Sequence, residues 1–345
     1  MPKLSNFECL KEQNPVFFQL AFAAEQSFSA DPNTTLIKLR QLGEALAQDM
    51  AARCNIDFDE KTAQADLLFK LNREIRLDAN IRELFHTLRI EGKKASHQFR
   101  TQHREAMNAL QLARTLAIWF HRAFGQPDAS FKPGPFIAPT DPSLPLRELN
   151  TQVEQLKAKL LDANGQVENN QQLMALVACE KQAYTTLAEH MDAEARTFKQ
   201  QALIHENQLK EERKAFDARL KALQLELENR PSVPQQLSTA IQKATAQLTL
   251  NEALTRILID QQLISAGWQA DTEQLTHQKG TRPEKGKNKA IAEWPTQGNQ
   301  AADYILFTGL TPIAVVEAKR ENINVAGKIP QAERELTQAV KKAKK

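Results

Sequence analysis

The stretch "AADYILFTGLTPIAVVEAKRENINV", residues 301–325, decides how the C-terminal third of the chain is read. Asp303 opens a short apolar run, Asp303–Phe307, and a second run, Ile313–Ala318, closes in Glu317-Ala318-Lys319. Both runs are rich in β-branched residues, and Thr308-Gly309-Leu310-Thr311-Pro312 between them has turn composition, so the pattern predicts a β-hairpin. A hairpin centred on Leu310 sets Asp303 opposite Glu317. Because side chains alternate along a strand, Glu317 and Lys319 share a face, and two carboxylates and an ammonium gather at one end. Two such carboxylates repel unless a cation lies between them. Mg²⁺ prefers hard oxygen ligands of this kind completed by water. The neighbouring lysine is placed to orient or help deprotonate a water aimed at a phosphodiester. The bland alternative makes Asp303 and Lys319 strand-end solubilisers, with Glu317 paired to Lys319; the acid, then Glu-x-Lys at a strand end, favours catalysis.

Composition sets the frame around that hairpin. The chain has 345 residues, enough for two or three domains. Its net charge of +3 is the residue of 45 basic and 42 acidic side chains, so total charge alone does not imply a nucleic-acid partner. The three cysteines, Cys9, Cys54 and Cys179, are far apart, which suits free thiols in a reducing cytosol rather than a disulfide or zinc framework. No basic-then-apolar leader opens the chain, and no apolar run approaches the roughly 18 residues a membrane span requires. The expectation is a cytoplasmic protein with no membrane partner.

Texture divides the chain into four. Residues 1–125 read as an all-α domain, with apolar positions at helical spacing in Thr35–Cys54, Leu67–Leu88 and Ala106–Phe124. Asp31-Pro32 is a start signal for the first of these, and Gly92 punctuates "HTLRIEGKKASHQFR", residues 86–100. Residues 126–147 are rich in Pro, Gly and Asp and read as a linker. Residues 148–230 turn to Leu, Ala, Gln, Glu and Lys. Val153, Leu160, Val167, Met174, Ala188, Ala195, Ala202, Leu209 and Phe216 keep a seven-residue step, which predicts a coiled-coil spacer, one rod or an antiparallel pair. Pro231 and Pro234 end it. From 249 to 345 the pattern is α/β: an amphipathic helix over Leu250–Trp268 closed by Gly267, a basic loop over 276–300, and the hairpin.

Asp303 with Glu317-Ala318-Lys319 resembles the signature of the PD-(D/E)xK nuclease superfamily, whose fold is a mixed sheet flanked by helices. More narrowly, "EALTRILIDQQLISAGW…ADYILF…VVEAKRENINV…QAERE" is similar to the nuclease domain of the restriction (R) subunit of type I restriction-modification enzymes. "LRIEGKKASHQF" looks like the small helical domain that precedes it there. The resemblance implies Mg²⁺-dependent cleavage of double-stranded DNA, with methylation and specificity subunits as partners and ATP used only by motor domains downstream of Lys345. By the same resemblance Asp303, Glu317 and Glu252 hold the metal, and Asp303, Glu317, Lys319 and Gln331 form the catalytic set. Lys279, Arg282, Lys285, Lys287, Lys289 and Arg320 are candidate phosphate contacts; without a polyanion nearby, the loop lysines are a solvated surface. The chain departs from the family where a Gln-x-x-x-Tyr element is usual. Gln331 has Glu335 at that distance, and Gln338 has Lys342.

That departure leaves a rival of another class, a non-catalytic module that docks DNA or a partner on a degenerate nuclease core. A free-standing nuclease without a motor is a third reading. An RNase site among His86, Arg89, His97, Arg100 and His103 has the wrong Arg-to-His spacing. Trp119 and Trp268 read as core residues.

Overall fold

The computed structural model describes residues 5–59, 61–97, 103–125, 131–141, 206–226, 235–296 and 301–318, with seven single positions between 178 and 196. The chain separates into two compact units, Met1–Gln247 and Leu248–Lys345.

The first unit is helical: α1 (Pro15–Ser27), α2 (Pro32–Arg53), α3 (Gln64–Ile75), α4 (Ala79–His97), α5 (His103–Phe124) and α6 (Gln235–Ala246). Asp31 caps α2 as its sequence position suggests: the carboxylate accepts the Asn33 and Thr34 amides, and Pro32 fills the first turn. Two expectations are corrected. The periodic run Leu67–Leu88 is two helices, because Arg76 takes a left-handed φ of 50° and its amide closes on Asn72 O. Gly92 ends nothing; it lies inside α4. A Cβ there would meet Arg40 Cβ at 2.4 Å and Leu36 O at 2.8 Å, so the glycine is what lets α4 lie against α2.

The spacer expected over 148–230 lies mostly outside the described residues. Its end, 206–226, is helical. Phe216 there is buried edge-on against Phe17 at 5.5 Å, and Arg219 donates to Gln13 O. This end packs on the helical unit through Phe216, one of the heptad positions, and Leu220, while most of its other residues stay exposed. Residues 131–141 of the presumed linker form no helix or strand but are tied down: Asn6 Nδ2 donates to Ile137 O while Ile137 N donates to Asn6 Oδ1, both at 2.8 Å.

The second unit packs α7 (Glu252–Ser265) on a four-stranded mixed sheet of β1 (Gln269–Ala270), β2 (Asn288–Pro295), β3 (Ala301–Thr308) and β4 (Thr311–Val316), in that spatial order. Strand β1 is parallel to β2, and the other pairs are antiparallel. Asn251 caps α7 through Leu254 N. At the other end Gly267, at φ 90°, lets its own amide bond Ile264 O and lets Trp268 N bond Leu263 O, a two-bond closure that seats half-buried Trp268 on the core.

Strand β2 overturns the reading of 276–300 as one basic loop. Ala290, Ile291 and Ala292 are fully buried between β1 and β3, and Trp294, 5% exposed, joins them. The buried stretch is short and broken by Glu293, and the lysines that precede "AIAEW" concealed it. Strand β3, like β2, is buried on both faces. Tyr304 and Leu306 meet the α7 side, and Ile305 and Phe307 the other. Strand β4 is an edge among the described residues, with Ile313 48% exposed.

Candidate functional site

The hairpin register is the one the sequence sets at its far end. Tyr304 pairs with Val316 and Ile305 with Val315, while a shift at Leu306/Phe307 absorbs one residue towards the turn. Asp303 and Glu317 are the next positions along. The Asp303 carboxylate reaches across the strand gap, and its Oδ2 accepts the Ala318 amide at 2.7 Å. That bond fixes Asp303 on the segment carrying Glu317. Glu317 is half-buried, and its Oε1 is shielded from solvent. Lys319, Arg320 and Gln331 lie outside the described residues.

Sequence reading missed Arg256. It sits one turn after Glu252 on α7, and its Nη2 lies 2.9 Å from Asp303 Oδ1 and 3.1 Å from Glu252 Oε1. Its Nη1 is 3.5 Å from Glu293 Oε1. One guanidinium thus faces three carboxylates. The acid–x₃–Arg spacing is an ordinary helical ion-pair signal, and nothing in sequence says that β3 delivers a third carboxylate to it. Glu252 stays 68% exposed and meets Asp303 through Arg256, whose own side chain is 17% exposed.

Glu293 is the second missed residue. Ala292 pairs with Tyr304 and Trp294 with Ala302, which places Glu293 across from Asp303. Its φ is 53°, left-handed at a non-glycine position within a strand. The two-residue alternation breaks there: Ala292 belongs to the cluster under α7, whereas Trp294 packs on the opposite side with Ile291 and Phe307. Such backbone costs about 1–2 kcal/mol and persists only where its surroundings fix it. The flanking pairs, Trp294 against Phe307 at 4.8 Å and the Arg256 contact, do so here.

Behind the acidic end runs a buried polar chain. Asp260 Oδ2 accepts the Thr272 amide and hydroxyl, both at 2.8 Å, and the Tyr304 hydroxyl meets the same Thr272 oxygen at 2.5 Å. Burial pushes the Asp260 carboxyl above its ordinary range despite these donors. Burial and the adjacent Asp260 push the Tyr304 phenol up as well, so it stays a donor.

The basic loop is partly neutralised from within. Glu284 takes Lys287 at 2.6 Å and Lys289 at 2.8 Å, which holds its carboxyl down at about 2. Lys289 belongs to β2 and is largely shielded. Arg282 is exposed and bonds the carbonyls of His277 and Thr281, and Lys279 and Lys285 are also exposed.

Among the described residues no three His, Cys, Asp or Glu side chains converge closely enough to cage an ion. Mg²⁺ does not require that: one or two carboxylates with water suffice, and the hard oxygens of Asp303 and Glu317 fit it. No helix among the described residues is long and apolar enough to cross a membrane.

Residues 269–345 match the family model for the second domain of the type I restriction enzyme EcoKI endonuclease subunit. The chain is also 40% identical over 353 aligned residues to the type I restriction enzyme EcoKI endonuclease subunit of Escherichia coli (strain K12). That alignment takes in 97% of this chain and 28% of the relative's length. No solved structure matches the chain.

Proposed function

We propose that this chain, 97% of which aligns with 28% of the length of a type I restriction enzyme endonuclease subunit, supplies the DNA-cleaving domain of such an enzyme. The observation that carries the reading is the Asp303 carboxylate bonded to the Ala318 amide, at the strand end where Glu317 stands and Lys319 follows. The family match over residues 269–345 includes this segment. The fold of this domain is then of the PD-(D/E)xK type, and the cofactor is Mg²⁺.

In this reading Asp303 and Glu317 hold the metal, which when bound polarises the phosphate and favours an ionised water. Asp303 is kept in place by the Ala318 amide, so its carboxylate does not reorganise when substrate arrives. Lys319, next along from Ala318, brings a positive charge to the attacked phosphate and orients the attacking water. Glu252, at the mouth of the site, is an outer contact. Gln331 supports the site from the following segment, with Glu335 standing where the family has Tyr. Lys279, Arg282, Lys285 and Arg320 meet the DNA backbone; Lys287 and Lys289 do so after release from Glu284. Double-stranded DNA, the methylation and specificity subunits, and ATP-driven motor domains complete the enzyme.

The test is cleavage of unmodified DNA by the motor-containing complex with ATP and Mg²⁺. Lys319→Ala is expected to abolish cutting with DNA affinity retained, and Asp303→Ala to lose both cutting and metal binding. Normal cutting by Lys319→Ala rules this hairpin out as the active site. DNA binding by the wild type with no cleavage under any divalent ion instead favours the docking module, the reading that Glu335 in place of Tyr supports.

A further inference from the structure

Arg256 engages one oxygen of the Asp303 carboxylate, the group assigned above to the metal. Its Nη2 bonds Asp303 Oδ1 at 2.9 Å, leaving Oδ2 to the Ala318 amide, so both carboxylate oxygens are engaged. The same guanidinium holds Glu252 at 3.1 Å and Glu293 at 3.5 Å. Arginine does not lose its proton in proteins, so its charge leaves Asp303 only if the side chain moves.

Two further features bear on that movement. Arg256 Nε is buried with no hydrogen-bond partner, so the fork is aimed by its carboxylates alone. Glu293, at φ 53°, is held in left-handed backbone across from Asp303, a conformation that brings its side chain to Arg256. A guanidinium that releases Asp303 therefore keeps two anionic partners. Release costs one charge-assisted hydrogen bond and does not strand a buried cation.

We propose that Arg256 is a positioning residue acting as an internal counter-cation: it holds Asp303 in place without metal and competes with the divalent ion for Asp303 Oδ1. Glu252 and Glu293 form the berth it retains when the ion binds. The proposal rests on the metal-binding reading of Asp303. It makes metal affinity a property that α7 sets. An event that draws Arg256 towards Glu252 and Glu293, such as DNA phosphates or a subunit contact near the exposed Glu252, loads the ion and arms the site. A merely structural arginine has no such effect, since its removal loosens the carboxylates and weakens binding.

The experiment is a Mn²⁺ titration of the full 345-residue chain, with free ion counted by electron paramagnetic resonance. Arg256→Gln is expected to bind Mn²⁺ roughly tenfold more tightly than wild type, the scale of one charge-assisted hydrogen bond no longer broken on binding. Asp303→Asn is expected to lose the site. If Asp303→Asn loses binding while Arg256→Gln binds as wild type or more weakly, the counter-cation role is overturned and the metal reading stands. If Asp303→Asn binds as wild type, the metal reading itself is overturned. Should circular dichroism show Arg256→Gln to be unfolded, Arg256→Met, which keeps the apolar stem, replaces it with the same expected rise and the same refuting result.

Discussion

Tyr304→Phe removes a single oxygen from the strand that carries Asp303, and the structure sets what that oxygen is worth. The ring is fully buried between β2 and β4, so phenylalanine keeps its packing. The hydroxyl lies 2.5 Å from Thr272 Oγ1 and a long 3.4 Å from Arg256 O. Direction follows from donor counting. At a pH where Asp260 is ionised it only accepts, so there the Thr272 hydroxyl donates to it and accepts from Tyr304. Deleting the phenol breaks one short bond but leaves Thr272 with its carboxylate, so no donor is orphaned. The cost is therefore that of one good buried hydrogen bond, about 1–2 kcal/mol. Urea unfolding, followed by amide exchange of β3 so that the second unit is read by itself, measures it. Thr272→Val in a double-mutant cycle should return a coupling of roughly 1 kcal/mol, because the two hydroxyls share one bond. A Tyr304→Phe chain within about 0.3 kcal/mol of wild type, below the net worth of an ordinary hydrogen bond, refutes the donor chain.

The remaining predictions concern charge and packing. Asp260 is an acid whose folded pKa burial raises, so the folded state holds the proton more tightly. Its contribution to stability is full below the ordinary value of 3.8 and is lost as pH rises through the folded pKa. Asp260→Asn, which still accepts from Thr272, should flatten that fall in a Tm-against-pH series; an unchanged slope assigns it to another group. Glu284→Gln frees Lys287 and Lys289, and should tighten DNA binding and steepen the salt dependence by roughly 0.9 for each phosphate newly neutralised. An unchanged slope in filter binding removes these lysines from the DNA face. In the helical unit, Trp119→Phe loses the Nε1 bond to Thr245 Oγ1 at 3.1 Å and part of a buried ring. A loss of about 1–3 kcal/mol in chemical denaturation is expected. Gly92→Ala should cost more than the opposite change at an open helical site gains, because Arg40 Cβ and Leu36 O leave its methyl no room; a stability at or above wild type shows that α4 can shift.

What the sequence determined by itself is whatever depends on neighbours along the chain. Asp31-Pro32 starts α2 because a carboxylate two residues ahead of free amides needs no distant partner. Gly267 ends α7 because only the local backbone has to turn. Asp303 meets the Ala318 amide, next to Glu317, because the hairpin is local, although a register shift at Leu306/Phe307 separates the pairing at the turn from that at the far end. Periodicity was misleading where tertiary contacts outweigh it. Leu67–Leu88 keeps helical spacing through the break at Arg76, and Gly92 punctuates nothing once α2 lies against it. Strand β2 was hidden because its buried stretch is short and broken by Glu293, and the lysines before it read as loop. The tertiary structure alone decided that Arg256 of α7 meets Asp303 of β3 and Glu293 of β2. Those residues are 47 and 37 positions from Arg256, and the left-handed turn at Glu293 follows no local rule. Charge pairing across such separations is fixed only when sheet and helix pack, since packing strips the water that would otherwise screen each charge from the others.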